Sequence, residues 1–196
     1  LANQGFIAVA IDYERLIDGE WKTSTMPLRK KDEIEFVMAQ VTQNPWVDSE
    51  NIGLLGFSLG GAHSLKIAEN NPLIKAVVVY YPMTDFVRWA KSFEDDFILS
   101  FIVNQIKASY LDESVEHTDA THLELVSQYS AINFTHKIQA SVLVIHGDND
   151  KIAPVEYSKN FVKSLQINGN SDSKLVVINK GKHGFNFKHS EKSLAP

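Results

Sequence analysis

A serine flanked by glycines is the first residue of this sequence that could do chemistry. Ser58 lies within Gly56–Gly61, read as GFSLGG, between the apolar residues of 52–55 and a helix-like segment, Ala62–Glu69. A nucleophile elbow consists of a strand, a sharp turn that carries the serine, and then a helix. The pattern predicts an exposed Ser58 hydroxyl at the carboxyl end of a strand, with the Leu59 amide directed at a developing oxyanion. The alternative is a glycine-rich turn in which Ser58 only caps the helix.

Two later segments supply an acid and a base for such a serine. A serine hydroxyl needs a base to remove its proton, and that base needs a group that orients it. The apolar run of 140–146 leads into Asp148 and Asp150, and the run of 174–178 leads into His183 between glycines. Because the carboxyl ends of parallel strands share one edge of a sheet, these side chains should approach Ser58. His146 ends its strand beside the acids and is expected to be a packed structural residue.

The elements that must position these residues alternate between strand and helix patterns. Short apolar runs predict strands at Gly5–Asp12, before Gly56, at Lys75–Tyr81, at Ala140–His146 and at Lys174–Ile178. Apolar residues at helical spacing predict helices at Leu28–Asn44, Ala62–Glu69 and Pro154–Leu165. Tyr13–Pro27 is polar and irregular, which predicts a loop. This alternation favours an α/β fold with a mostly parallel sheet flanked by helices.

Residues Met83–Gln139 interrupt the alternation, which then resumes with the same character. This predicts a helical cap, 83–139, inserted into a single domain that covers 1–196; a linker between two domains is the alternative. Phe86–Lys91 and Phe97–Tyr110 show helical patterns within the cap. The apolar segment Phe97–Tyr110 could form a wall of an acyl pocket, or it could simply pack as a helix.

Composition excludes several classes of function. The chain has 196 residues, a net charge of −5 and scattered Lys and Arg residues, so nothing favours binding to nucleic acid or to an anionic membrane. It has no cysteine, which excludes disulfides, thiolate metal sites and a cysteine nucleophile. No apolar run is long enough to span a membrane. The apolar start at Phe6–Ile11 is too short for the core of a signal peptide, and we expect a cytoplasmic protein.

The chain resembles the α/β-hydrolase superfamily, and more closely the dienelactone hydrolases, the BD-FAE-like esterases and the catalytic domain of prolyl oligopeptidases. The resemblance covers most of the chain from Gly5 onward and rests on GFSLGG at 56–61, YYP at 80–82, HGDNDKIAP at 146–154 and GKHGF at 181–185. The order of serine, acid and histidine along the chain is the order found in α/β-hydrolases. In such families the acid stands about four residues before a proline, which selects Asp150 over Asp148. Dienelactone hydrolases proper have a cysteine where Ser58 stands here.

The resemblance implies a serine hydrolase that cleaves carboxylic esters through an acyl-enzyme. Ser58 would be the nucleophile, His183 the base, Asp150 the residue that orients His183, and Leu59 N–H a donor to the oxyanion. No metal or organic cofactor is expected, and the expected partner is a small-molecule ester. The sequence leaves the oligomeric state open. A peptidase of the prolyl oligopeptidase type and a non-catalytic binding protein with the same fold are the alternatives.

The resemblance also predicts a second oxyanion donor from a loop after an earlier strand, often of HGG type. No such loop precedes Gly5, and the chain begins with Leu1 rather than Met. We therefore expect this sequence to be an N-terminally truncated piece of a longer protein, without the first strands of the fold.

Overall fold

The computed structural model describes residues 1–11, 14–17, 20–23, 27–92 and 127–188. The strands are β1 (Glu14–Ile17), β2 (Glu20–Thr23), β3 (Ile52–Phe57), β4 (Ile74–Tyr80), β5 (Ser141–Gly147) and β6 (Lys174–Ile178). The helices are α1 (Pro27–Thr42), α2 (Leu59–Ala68), α3 (Phe86–Ser92), α4 (Val155–Ile167) and α5 (Phe185–Lys188). Two short 3₁₀ helices cover Ala2–Gln4 and Ala131–Lys137.

The main sheet is parallel and has the strand order β3-β4-β5-β6. Its register aligns Leu55 with Val78 and Val78 with Leu143. Helix α2 connects β3 to β4, and α4 connects β5 to β6, as the crossover between parallel strands requires. All carboxyl ends of these strands therefore lie along one edge, which confirms the predicted α/β fold and gives the site its platform.

The core lies between the sheet and one layer of helices. Helix α2 packs on β3 and β4, α4 packs on β5 and β6, and the 3₁₀ helix of 131–137 contacts both helices. Central strand residues such as Val79 and Val144 are fully buried together with Leu65 of α2 and Phe161 of α4. Complete burial of each such side chain contributes about 1.5–3 kcal/mol. The two central strands, β4 and β5, are therefore the best-packed strands of the described sheet.

The first segment of the chain corrects two predictions. The strand predicted at Gly5–Asp12 is wrong for residues 5–11, which form no strand. Phe6 and Ile7 are 62% and 55% exposed. No strand forms here because an apolar run becomes a strand only where a neighbouring strand completes its hydrogen bonds. The loop predicted at Tyr13–Pro27 is also wrong over 14–17 and 20–23, where β1 and β2 pair in antiparallel orientation.

Helix α3 confirms the helix predicted at Phe86–Lys91. The segment Phe97–Tyr110, with its possible pocket wall, lies outside the described residues, and the cap insertion at 83–139 stays a prediction. Within the described part of the chain, no helix has the length and apolar character needed to cross a membrane.

Candidate active site

The turn between β3 and α2 places Ser58 in an uncommon backbone conformation. Ser58 has φ 50° and ψ −118°, a region that costs a non-glycine residue on the order of 1–3 kcal/mol. A Cβ on Gly56 would lie 2.4 Å from the carbonyl oxygen of Gly60, so this turn requires glycine at position 56. Ser58 occupies the N-cap position, yet its side chain makes no capping hydrogen bond. The structure therefore disagrees with the simple capping alternative.

The side chains of Ser58, His183 and Asp150 form a continuous chain of contacts. Nε2 of His183 lies 3.0 Å from Oγ of Ser58, and Nδ1 of His183 lies 2.7 Å from Oδ2 of Asp150. An ionised carboxylate can only accept a hydrogen bond, so Nδ1 carries the proton of the neutral imidazole. Nε2 is then left with a lone pair that accepts the Ser58 hydroxyl proton. The structure thus brings together the three residues that the sequence selected.

Asp150 is held as a carboxylate by the residues around it. Burial alone would raise its pKa, but contacts with His146 and His183 and the hydrogen bond from Ala153 N–H outweigh burial and hold its pKa well below the usual range. Its Oδ1 accepts hydrogen bonds from the backbone N–H groups of Ile152 and Ala153, each at 2.9 Å. The carboxylate is therefore both ionised at neutral pH and fixed in orientation.

Asp148, the alternative acid, has a different contact. Its Oδ1 accepts a hydrogen bond of 2.6 Å from the backbone N–H of Lys180, in the loop after β6. Neighbouring backbone bonds join the same loops, from Asp148 N–H to Ile178 O at 3.1 Å and from Asn149 N–H to Gly181 O at 3.0 Å. Asp148 thus ties the loop of the acid to the loop of the histidine, as expected for a residue that bonds backbone amides.

Tyr81 is a site neighbour that the sequence reasoning missed. Its ring centroid lies 4.5 Å from that of His183, and its hydroxyl donates a hydrogen bond of 2.7 Å to Oδ1 of Asn186. The side chain is 1% exposed, and the residue has φ 39°. Burial raises the pKa of the phenol to about 12. A tyrosine at the end of a central strand, directly before a proline, was the available signal.

Leu59 begins α2 and follows Ser58 directly. The first N–H groups of a helix have no partner within the helix, and the helix N-terminus carries partial positive charge. The Leu59 N–H is thus placed where it could donate to an oxygen held near Ser58, and its role in an oxyanion hole stays a prediction.

The fold and the Ser58–His183–Asp150 arrangement define a protein of the α/β-hydrolase class. Comparison with known proteins gives a narrower result, since the profile of the prolyl oligopeptidase family matches residues 1–195. The chain belongs to the prolyl oligopeptidase family.

Individual relatives are distant. A Schizosaccharomyces pombe protein described as a dipeptidyl aminopeptidase is 26% identical over 152 residues, covering 78% of this chain and 16% of that protein. Acyl-coenzyme A thioesterase 1 of Rattus norvegicus is 25% identical over 185 residues, covering 93% of this chain and 43% of that protein. The solved acylaminoacyl peptidase of Pyrococcus horikoshii has a TM-score of 0.60 and 21% identity, covering 80% of this chain and 24% of that chain. This chain spans less than half the length of each of these proteins.

Proposed function

We propose that the protein hydrolyses acyl compounds through a covalent acyl-enzyme formed on Ser58. The observation that carries this proposal is the unbroken contact from Ser58 Oγ through the His183 imidazole to Asp150, with distances of 3.0 and 2.7 Å. A nucleophile within hydrogen-bond reach of a base, which is itself oriented by a third group, is the arrangement that activates a hydroxyl. The position of Ser58 on a strained turn supports the same role.

In the first half of the reaction, Ser58 Oγ attacks the carbonyl carbon of the substrate while its proton passes to Nε2 of His183. The carbonyl oxygen becomes an oxyanion, to which the Leu59 N–H donates a hydrogen bond. The protonated His183 then gives that proton to the leaving group as its bond to the acyl carbon breaks. The products of this half are the acyl ester of Ser58 and the protonated leaving group.

In the second half, water attacks the acyl carbon and its proton passes to Nε2 of His183. The Ser58 Oγ leaves and takes the proton back, which releases a carboxylic acid and restores the enzyme. Asp150 stays ionised through both halves, because its pKa is held well below the usual range, and its charge stabilises the imidazolium form of His183. Every protein group named in these steps belongs to this chain.

A peptide bond is the first candidate for the cleaved bond. The family profile matches nearly the whole chain, and the S. pombe relative is described as an aminopeptidase. An amine leaves only after it is protonated, which the imidazolium of His183 can do. The carboxylic ester expected from the sequence is the second candidate, and a thioester is added to it because the rat relative is an acyl-coenzyme A thioesterase.

A pair of substrates with the same acyl group and different leaving groups separates the candidates. We would assay an N-acyl aminoacyl p-nitroanilide and the matching p-nitrophenyl ester with the full-length natural protein that contains this chain. Cleavage of both substrates is expected, with a loss of about 10⁶-fold in kcat for Ser58→Ala. Cleavage of the ester alone would favour the esterase candidate. A folded protein that cleaves neither substrate, or a fully active Ser58→Ala variant, would contradict the proposal.

A further inference from the structure

His146 is a fully buried histidine that the proposed reaction does not use. It lies in β5, four residues before Asp150, and its side chain is 0% exposed. Its Nδ1 lies 2.8 Å from Ser158 Oγ, and its Nε2 lies 2.7 Å from the carbonyl oxygen of Ala153. We propose that His146 is a positioning residue that fixes the loop around Asp150 and thereby keeps Asp150 in line with His183; this inference rests on the function proposed above.

The contacts of His146 determine which of its nitrogens carries the proton. A carbonyl oxygen can only accept a hydrogen bond, so Nε2–H donates to Ala153 O. In the neutral ring, Nδ1 then has a lone pair, which accepts the hydroxyl proton of Ser158. Ser158 belongs to α4 and is itself fully buried. The imidazole is therefore held at both nitrogens, between the acid loop on one side and helix α4 on the other.

Ala153 connects His146 to Asp150. Ala153 receives the hydrogen bond from His146 on its carbonyl group, while its N–H donates to Asp150 Oδ1 at 2.9 Å. Ala153 is 1% exposed. A shift of Ala153 would therefore also move its N–H, which orients the carboxylate, in a buried place where an unpaired donor is costly.

A second link strengthens the same loop from the other side. Ile152 N–H also donates to Asp150 Oδ1 at 2.9 Å, and Ile152 O accepts a hydrogen bond of 2.6 Å from Nε1 of Trp89 in α3. Ile152 O belongs to the same peptide group as the Ala153 N–H, so Trp89 anchors one of the two peptide groups that donate to the carboxylate, and His146 anchors the peptide group that follows it.

His146 also approaches the carboxylate directly. Its Nε2 lies 3.3 Å from Asp150 Oδ2, the oxygen that binds His183 Nδ1. The shorter distance to Ala153 O makes that carbonyl the main acceptor, and the carboxylate oxygen a secondary one. The same N–H therefore contributes to placing the carboxylate both through the loop and at the oxygen itself.

Substitution of His146 should loosen the Asp150–His183 hydrogen bond without removing either residue. His146→Phe keeps a ring but loses both hydrogen bonds, whereas His146→Gln keeps an N–H at the place of Nε2. The matched control is Ser173→Ala, because Ser173 Oγ is also fully buried and accepts a hydrogen bond from Val142 N–H, near the start of β5 and away from the site.

The readout is the proton on Nδ1 of His183, observed by nuclear magnetic resonance in full-length protein with labelled histidine. We expect a downfield resonance that exchanges slowly with water in the wild type, in Ser173→Ala and in His146→Gln, and fast exchange in His146→Phe. We also expect His146→Phe to lower kcat by about tenfold to a hundredfold, the range seen when a residue that orients a metal ligand is lost, with KM unchanged.

An unchanged exchange rate in folded His146→Phe would overturn the proposal, as would equal effects of His146→Phe and Ser173→Ala. If His146→Phe does not fold, Ser158→Ala tests the proposal instead. It removes the partner of His146 Nδ1 and should accelerate exchange of the His183 Nδ1 proton. The resonance needs no substrate. A wild-type protein that shows the resonance but cleaves nothing would refute the proposed function, while the comparison of variants would still test the role of His146.

Discussion

Nδ1 of His183 lies 2.7 Å from Oδ2 of Asp150, although the two residues belong to loops that follow different strands. The two loops are joined by backbone hydrogen bonds and by the contact of Asp148 with the Lys180 N–H. Acid and base are therefore placed by one connected unit at the sheet edge. Changes that separate the two loops should weaken the pair even when both side chains remain.

Gly147→Ala tests this connection. A Cβ at position 147 would lie 2.1 Å from the carbonyl oxygen of Gly181, so one of the two loops must move. We expect a loss of about 1–3 kcal/mol in the free energy of unfolding, the usual range for overpacking, and a fall in kcat. Urea denaturation and the p-nitrophenyl ester assay measure the two effects.

Gly53→Ala is the matched control, because the nearest atom to its new Cβ would be the Ala76 carbonyl oxygen at 3.6 Å. It should retain kcat. If Gly147→Ala were as stable and as active as Gly53→Ala, the close approach of the two loops would not matter for the site.

Asp150→Asn should lower kcat by about 10⁴-fold, as expected when the histidine is held in the wrong tautomer. The amide oxygen of the new side chain would stay with the N–H groups of Ile152 and Ala153, which now bind Oδ1. Its NH₂ group would then face His183 and donate to Nδ1, which places the imidazole proton on Nε2. His183 could no longer accept the proton of Ser58.

Asp148→Asn provides the comparison, since an amide oxygen can still accept the hydrogen bond from Lys180 N–H. Its kcat on the same ester should stay close to that of the wild type. A larger loss of kcat in Asp148→Asn than in Asp150→Asn would show that Asp150 is not the acid that orients His183.

Tyr81→Phe should alter stability at alkaline pH. Burial raises the pKa of Tyr81 from 10.0 to about 12 in the folded protein. Folding therefore favours the protonated phenol, and this contribution is complete below pH 10 and is lost as the pH rises toward 12. The variant lacks the phenol, so its free energy of unfolding should fall less steeply than that of the wild type over this window. Urea denaturation at several alkaline pH values measures both slopes, and parallel curves would contradict the role of burial.

The strands and residues that form the site were predictable from the sequence because their signals are local. The elbow at Gly56–Gly61 and the strand at Lys174–Ile178 combine short-range steric demands with apolar runs. The selection of Asp150 over Asp148 needed the family pattern, because both carboxylates follow the same strand. Their separate contacts, with His183 and with Lys180 N–H, depend on a loop more than thirty residues away.

The errors arose where the outcome depends on distant partners or on an overlooked turn. The apolar run at 5–11 has the composition of a strand but pairs with no other strand among the described residues. The β1–β2 hairpin had a signal, since Asp18-Gly19 is a favoured two-residue hairpin turn. No sequence signal predicted the hydrogen bonds of His146 with Ser158 and Ala153, because they join a strand, a helix and a loop that meet only in three dimensions.

Labelling with a fluorophosphonate probe tests the activated serine most directly. We would treat the full-length wild type, Ser58→Ala and the control Ser173→Ala, and locate the adduct by peptide mass spectrometry. We predict one adduct on Ser58 in the wild type and in the control, and none in Ser58→Ala. Labelling that persists in Ser58→Ala, or a folded wild type that the probe does not label, would contradict the account of Ser58 as a nucleophile activated by His183 and Asp150.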